Sequence, residues 1–299
     1  MVNFSEVHSQ RILLSPLNWG LGHVSRCIGL IDKLRKRNNE VIVACDVQQK
    51  SVFLQYYDDL EFVPHDGYPF KFRGGGNFAK DLFVSRKALN SRLKDELFET
   101  DNLVKKHSID LVISDHRYGF RSDKVNSIFV THQMQLPVKW FQRSVQRLHR
   151  NLIAKYDGIW VLDYPDSSLA GDLSRGGMKE SYIGPCSRFE RYSIPDTVIG
   201  SVAIISGPDV YAQQLVEEVY AKFGKEVRYI LPMGLQLPMG IESIRGDWLS
   251  QDRAILNSET IISRSGYSTI MDNAVLGKKL ILIPTPGQAE QVYLAKMHG

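Results

Sequence analysis

Short β-branched runs alternate with helix-length amphipathic segments along the whole chain, and this alternation restricts the fold more than any other feature. Ile12–Ser15, Val41–Cys45, Leu60–Val63, Leu111–Ser114, Ile128–Thr131 and Ile159–Leu162 read as strands, with helical patterns between most of them. Strands separated by helices predict a parallel sheet with right-handed crossovers and helices on both faces. The series restarts after Ile194-Pro195 with strands at Val202–Ser206, Val227–Leu231, Glu259–Ile262 and Leu280–Pro284, and with helices at Val210–Phe223 and Ser268–Leu276. The prediction is an α/β chain of two Rossmann-like domains, residues 1–188 and 196–299, with parallel sheets facing across a cleft. A length of 299 residues suits that division, because single cores stop growing at roughly 250–300 residues. Gly184-Pro185-Cys186-Ser187-Arg188 and then Pro195 interrupt both periodicities and predict the joint.

Composition excludes several classes. Hydrophobic residues at 43% and charged residues at 23% are those of an ordinary globular protein, not a disordered one. A net charge of +4 is too small to argue for nucleic acid, and no nucleic-acid recognition motif accompanies it. No run approaches the ~20 apolar residues that cross a bilayer. Cys27, Cys45 and Cys186 lack CxxC spacing and follow no secretory leader, so a cytoplasmic setting is expected.

In open α/β sheets ligands bind beyond the carboxyl ends of strands, so motifs there carry the functional argument. The first strand runs into Asn18-Trp19-Gly20-Leu21-Gly22-His23, directly before the helix Val24–Arg37. Glycines permit a tight turn and close approach of a ligand to main-chain N–H groups, and a neutral imidazole there can take a proton from a hydroxyl. The plainer alternative for His23 is a helix-capping histidine on a structural turn. Ser114-Asp115-His116-Arg117-Tyr118 and Thr131-His132-Gln133 follow two further strands on the same predicted rim. Asp115 is the candidate to orient His23 and stabilise its imidazolium; its alternatives are a helix N-cap or a partner for Arg117. His132 reads equally well as a loop histidine.

In the second half, Arg264-Ser265-Gly266-Tyr267-Ser268-Thr269 joins a strand to a helix that carries Asp272. Hydroxyls, a glycine and an arginine at a helix start suit a nucleotide phosphate, and Asp272 is placed to accept from two ribose hydroxyls, although capping alone would explain Ser268 or Thr269. Pro284-Thr285-Pro286-Gly287-Gln288-Ala289-Glu290-Gln291 is a rigid turn whose polar side chains can hydrogen-bond sugar hydroxyls.

These motifs together resemble the family-28 glycosyltransferases of GT-B fold, the group that includes the peptidoglycan N-acetylglucosaminyl transferase. NWGLGH, GPCSR, SRSGYSTIMDNAVLG and PTPGQAEQ carry the resemblance. It implies an amino-terminal domain that binds the acceptor and a carboxyl-terminal domain that binds a nucleotide-diphosphate sugar, commonly UDP-linked. His23 then takes the glycine-loop position, Arg188 the arginine that meets the diphosphate, Asp272 the ribose acid, and Gln288, Glu290 and Gln291 the donor-sugar loop. Arg264, Ser265, Gly266, Ser268 and Thr269 fall to the nucleotide, and Asn18, Gly20, Gly22, His116, His132 and Gln133 to the acceptor. Two departures are visible: the glycine-rich loop after the first strand of the second domain is reduced to Ser206-Gly207-Pro208, and the ribose acid is usually glutamate. GT-B folds also continue with helices beyond the point where Tyr293–Gly299 stops, so an incomplete carboxyl-terminal domain is expected.

No cofactor and no metal are expected: Asp58-Asp59 precedes a strand, Asp163 and Asp166 flank a proline, and the histidines lack ligand spacing. Leaving-group charge would instead fall to Arg188, helix N-termini and serine hydroxyls. Lys139, Arg143, Arg147, Arg150 and Lys155 alternate with Val138, Trp140, Phe141, Val145 and Leu148 in a stretch without acidic residues. This reads as a basic amphipathic helix fit for the inner, anionic face of a membrane, or as a core-facing helix with a solvated basic side. Tyr68–Gly76 mixes aromatic, basic and glycine residues and reads as an acceptor lid. The leading expectation is therefore a metal-independent inverting glycosyltransferase acting from a UDP-sugar, or another nucleotide-diphosphate sugar, on a glycan or lipid hydroxyl. A nucleotide-sugar hydrolase of the same fold and a non-catalytic GT-B binding module are its rivals.

Overall fold

The computed structural model describes residues 2–68, 78–137 and 143–299, the side chains of 78–90 apart. The chain forms two compact units, the first ending at Arg188 and the second beginning at Phe189.

The first unit is a seven-stranded, wholly parallel sheet of β1 (Arg11–Pro16), β2 (Glu40–Cys45), β3 (Glu61–Pro64), β4 (Leu111–Asp115), β5 (Asn126–Thr131), β6 (Gly158–Val161) and β7 (Glu180–Tyr182) in the order β3-β2-β1-β4-β5-β6-β7. Its helices are α1 (Gly22–Arg35), α2 (Val47–Phe53), α3 (Phe78–His107) and α4 (Arg143–Ile153). The central strands are apolar on both faces because helices cover both. Ile12, Leu13 and Leu14 are all fully buried, and Leu13, Ile42, Ala44 and Val112 pack with Val104 of α3 and with Ile109 just beyond it.

Strand order reverses beside β1: the chain steps outward from β1 to β2 and β3, and then α3 carries it back across the sheet to β4 on the other side of β1. Such a switch point opens a crevice at the carboxyl ends of the two flanking strands. Register aligns those ends: Pro16 pairs with Asp115 and Asp115 with Val130, so the loops after β1, β4 and β5 leave the sheet at one level.

The second unit repeats the design with five parallel strands: β8 (Ser201–Ile204), β9 (Val227–Leu231), β10 (Ser243–Arg245), β11 (Thr260–Ser263) and β12 (Lys279–Leu282), in the order β10-β9-β8-β11-β12. Helices α5 (Asp209–Phe223), α6 (Trp248–Leu256), α7 (Tyr267–Leu276) and α8 (Ala289–His298) accompany them. The period of two is legible in its core. Ala203 and Ile205 pack with Leu215 and Val219 of α5, whereas Val202 and Ile204, alternating with them, pack with Ile255 of α6 and Leu276 of α7. The switch point here lies between β8 and β11, where Ile204 pairs with Ser263.

Every strand expected from the sequence is present within one or two residues. β7 and β10 were not expected; each has three residues of intermediate burial, too few to show a period. The basic segment forms α4 over Arg143–Ile153, while Val138, Lys139, Trp140 and Phe141 lie outside the described residues, as do residues 69–76 of the expected lid.

Helix α1 passes so close to the chain at Cys186-Ser187 that a Cβ on Gly29 would stand 2.5 Å from the Cys186 carbonyl carbon. The obstacle is main chain, which cannot rotate away. Gly29→Ala should therefore lower stability by about 1–3 kcal/mol despite alanine's better helix propensity, measurable by urea denaturation; an unchanged or raised midpoint would contradict the close packing.

Candidate active site

The loop after β1 is shaped by Gly20, whose φ of +109° lies where side chains are strained, and α1 begins two residues later at Gly22. His23 is the second residue of α1. Leu21 occupies the N-cap without a side-chain cap bond, so His23 is not a capping histidine. Its ring turns to the end of β4, where Nδ1 lies 2.8 Å from Asp115 Oδ2. Asp115 is fully buried and caps no helix. Its Oδ1 accepts from Arg26 Nε at 2.8 Å and also from Arg26 Nη2, and Cys27 Sγ stands 3.6 Å from Oδ2. Arg117 is not its partner: that guanidinium donates through Nε to Glu96 at 2.6 Å.

The electrostatics follow from this packing. Burial pushes the Asp115 carboxyl upward, but the charge of Arg26, the His23 ring and the hydrogen bonds from both outweigh it and hold the group well below the usual carboxylate range. An ionised carboxylate only accepts, so the His23 nitrogen facing it is N–H, and Nε2 carries the lone pair. Burial and the charge of Arg26 lower the His23 pKa, against the pull of Asp115. The ring is therefore neutral near pH 7, with 17% of its side-chain surface open to solvent. An oriented neutral imidazole with an outward lone pair is the chemical form of a general base.

Around this dyad the other rim residues are packed. His116 sits in the left-handed region at φ +62°, and its ring centroid lies 6.1 Å from that of His23 and 6.4 Å from those of His132 and His149. Burial first, then neighbouring cationic groups led by Arg26, push its pKa well below the ordinary value, and its Nδ1 lies 3.1 Å from Thr131 Oγ1. His132 is buried, with Nδ1 3.1 Å from Arg26 Nη1. Gln133 is held through its main chain: its N–H donates to Thr131 Oγ1 at 2.8 Å, and its carbonyl lies 2.9 Å from His149 Nε2. Asn18 Oδ1 accepts from the Tyr68 N–H at 3.1 Å, and a Cβ on Gly67 would collide with the Asn18 amide at 1.9 Å. Tyr68 in turn donates its hydroxyl to the buried Glu96 at 2.6 Å, so the glycine turn is anchored to α3.

Arg26, His149 and Glu96 were not among the sequence candidates. Arg26 had a signal: it lies three residues after His23, hence on the same face of α1, among otherwise apolar neighbours. Glu96 had none, being one acidic residue in a charged helix.

In the second unit, Ser206 and Gly207 are exposed after β8, with Gly207 at φ +104°. Gly266 is the N-cap of α7, where a Cβ would meet nothing within 4 Å. Its φ of −75° suits any residue, so neither backbone nor packing requires a glycine. Ser268 and Thr269 lie half-buried in the first turn, and Asp272 is buried in the second. Arg264 differs from expectation: Nη2 donates to the Tyr211 carbonyl at 2.7 Å and Nη1 to the Pro284 carbonyl at 3.2 Å. It ties α5 to the loop after β12. Ser265 donates to the Gln291 carbonyl at 2.7 Å, and Gln291 Oε1 accepts from the Thr285 N–H at 2.8 Å, so both hold the turn before α8. Gln288 is exposed and Glu290 half-buried at the start of that helix. Arg188, buried at the end of the first unit, donates to Ser25 Oγ of α1 at 2.6 Å. Asp163 is fully buried after β6 and organises its own loop, accepting from the Leu169 and Ala170 N–H groups. Among the described residues no group of three or more His, Cys, Asp or Glu is arranged to hold a metal ion.

Residues 249–297 match the family model of the glycosyltransferase family 28 C-terminal domain. A glycosyltransferase of Methanosarcina mazei, itself uncharacterised, is 23% identical, with 94% of this chain and 82% of the relative aligned. Among solved structures, the glycotransferase of kitacinnamycin superposes with a TM-score of 0.64 at 14% identity, covering 96% of this chain and 84% of its own. The spinosyn rhamnosyltransferase SpnG in complex with thymidine diphosphate gives 0.57 at 14% identity, covering 95% and 83%. These structures share the fold, and the family match and the archaeal relative supply the activity class: the chain is a glycosyltransferase of GT-B type. The part that matches the family-28 C-terminal domain runs from α6 to α8.

Replacing Asp115 by Asn should leave the buried Arg26 without its counter-charge, at a cost of about 3–5 kcal/mol. It also removes the attraction that favours the His23 imidazolium, so His23 should titrate still lower. Chemical denaturation and histidine NMR read the two effects; a variant as stable as the wild type would contradict the shared carboxylate.

Proposed function

We propose that the protein is a metal-independent, inverting glycosyltransferase that moves a sugar from a nucleoside-diphosphate donor to an acceptor hydroxyl. The observation that carries this reading is the 2.8 Å contact between His23 Nδ1 and Asp115 Oδ2, which leaves His23 Nε2 as the acceptor of a proton. In one displacement the acceptor hydroxyl gives its proton to Nε2, its oxygen bonds to the anomeric carbon, and the bond from that carbon to the diphosphate breaks. The anomeric configuration inverts, and the nucleoside diphosphate leaves with the bonding electrons.

Donor recognition is assigned to the second unit. The α7 N-terminus at Gly266, with Ser268 and Thr269, offers N–H groups and hydroxyls to phosphate, and Asp272 offers a carboxylate to ribose. Arg188 keeps the diphosphate role that the family resemblance implies, and Gln288 and Glu290 the donor-sugar role. SpnG is captured with thymidine diphosphate and, in another structure, with spinosyn aglycone, which supports a nucleoside-diphosphate donor and a separate acceptor for this fold. UDP is the proposed nucleotide on the family resemblance.

A cytoplasmic location at an anionic membrane surface, with a glycan or lipid acceptor, is part of the same reading. No described helix is long and apolar enough to cross a membrane. Helix α4 turns Arg143, Arg147, Val145 and Leu148 outward, Leu148 with 59% of its surface exposed, and His149 and Ile153 inward. Vesicles containing phosphatidylglycerol should sediment the protein at low salt and release it at high salt, since each basic residue near such a surface contributes about 1 kcal/mol. Absence of binding at low salt would refute the membrane assignment.

The catalytic assignment is tested with His23→Ala. Transfer should fall by about 10²–10⁴, while UDP still raises the melting temperature as in the wild type and fails to do so in Asp272→Asn. Full transfer by His23→Ala would remove the base. Free sugar released by the wild type without an acceptor would make the protein a nucleotide-sugar hydrolase, and absence of both transfer and hydrolysis would leave only a binding module.

A further inference from the structure

Arg26 touches both Asp115 and a second histidine. Its Nε and Nη2 lie on Asp115 Oδ1, and its Nη1 lies 3.1 Å from His132 Nδ1. A guanidinium is always charged and has only donors. His132 Nδ1 must therefore accept, and the proton of its ring must be on Nε2. A cationic His132 would turn an N–H against the Arg26 N–H, so the contact excludes that form as well. Asp115, held ionised by the same guanidinium, imposes the opposite arrangement on His23, whose proton is on Nδ1.

We infer that Arg26 is a positioning residue that fixes the tautomers of two histidines at once, leaving His23 with its lone pair on Nε2 and His132 with its proton on Nε2. The catalytic consequence rests on the proposed role of His23 as base; the tautomers do not. One cation thus gives this rim an acceptor nitrogen on one ring and a donor nitrogen on the other. Loss of Arg26 would act on both: Asp115 would ionise less readily, and His132 Nδ1 would lose the donor that makes it an acceptor.

The groups that face His23 are Asp115 from the end of β4, Arg26 from its own helix, and His116 and His132 from the loops after β4 and β5. Cys27 Sγ adds a weak contact to the same Asp115 oxygen, and His149 of α4 stacks on His116. Arg26 is the permanent cation in this group. With it gone and Asp115 ionised, the His23 pKa rises, because the repulsion that disfavours the imidazolium is lost while burial and the pull of Asp115 persist.

The test uses the full chain with ¹⁵N-labelled histidine, in the wild type, Arg26→Gln and Arg26→Lys. Long-range ¹H–¹⁵N spectra near pH 7 should show wild-type His132 protonated on Nε2 alone. Lysine keeps the charge but lacks the fork, so Arg26→Lys should lose that single tautomer. Its kcat should fall about tenfold or more with KM within about twofold. In Arg26→Gln the acid limb of kcat/KM should move to higher pH. A wild-type His132 protonated on Nδ1 or on both nitrogens would overturn the inference, and so would an Arg26→Gln enzyme with the wild-type pH profile. If Arg26→Gln does not fold, the Arg26→Lys spectra and the wild-type tautomer decide alone. A fully active His23→Ala enzyme would sink the base assignment and leave the His132 tautomer to be judged on the spectra.

Discussion

The carboxylate of Asp115 is shared between a permanent cation and a titratable ring, and the first unit is arranged around that sharing. A fully buried carboxylate would be protonated if it stood alone. Arg26 keeps it charged by giving two donors to one oxygen, which leaves the other oxygen for His23. The arrangement needs β1 and β4 as neighbours at a switch point, with Pro16 opposite Asp115, so that a helix starting just after β1 presents two side chains three residues apart to the end of β4. Gly20 makes that start geometrically accessible, and Gly29 lets the same helix lie against the chain at Cys186. The helix is therefore fixed at both levels, by a charge at its beginning and by close packing in its middle.

The second unit solves a different problem with the same topology. Its switch point presents an uncapped helix N-terminus at Gly266, in a position where a side chain would meet nothing. The surrounding polar residues Arg264, Ser265 and Gln291 bind main chain, fixing the loops after β11 and β12 to one another. In the proposed reading this helix end takes the donor phosphate, and donors aimed in advance need no reorganisation when charge arrives.

Much of this was legible in the sequence because burial on both sheet faces leaves unmistakable apolar runs, as at Ile12–Leu14 and Val41–Cys45. The glycine turn and its histidine were legible for a related reason: glycine at a strand end followed directly by a helix has few uses. Other parts were hidden because their signal is tertiary. Glu96 lies in a charged stretch of α3 and gains its meaning only from Arg117, His65 and Tyr68, which are distant in sequence. Asp115 was expected beside His23 and lies there, yet its second partner was missed, because the spacing that puts Arg26 on the helix face of His23 was not weighed. Arg264 misled in the opposite direction. An arginine in a serine- and glycine-rich turn suggests phosphate, but three main-chain carbonyls lie within 3.5 Å of its terminal nitrogens.

The central claim is that His23 is held neutral, with its proton on Nδ1 and its lone pair outward. Following the His23 ring nitrogens by NMR across the pH range tests this without substrate. A single proton on Nδ1 near pH 7, and a titration midpoint below the ordinary histidine value of about 6.5, are the results the structure predicts. A His23 ring that is still doubly protonated near pH 7, or that carries its single proton on Nε2, would contradict it.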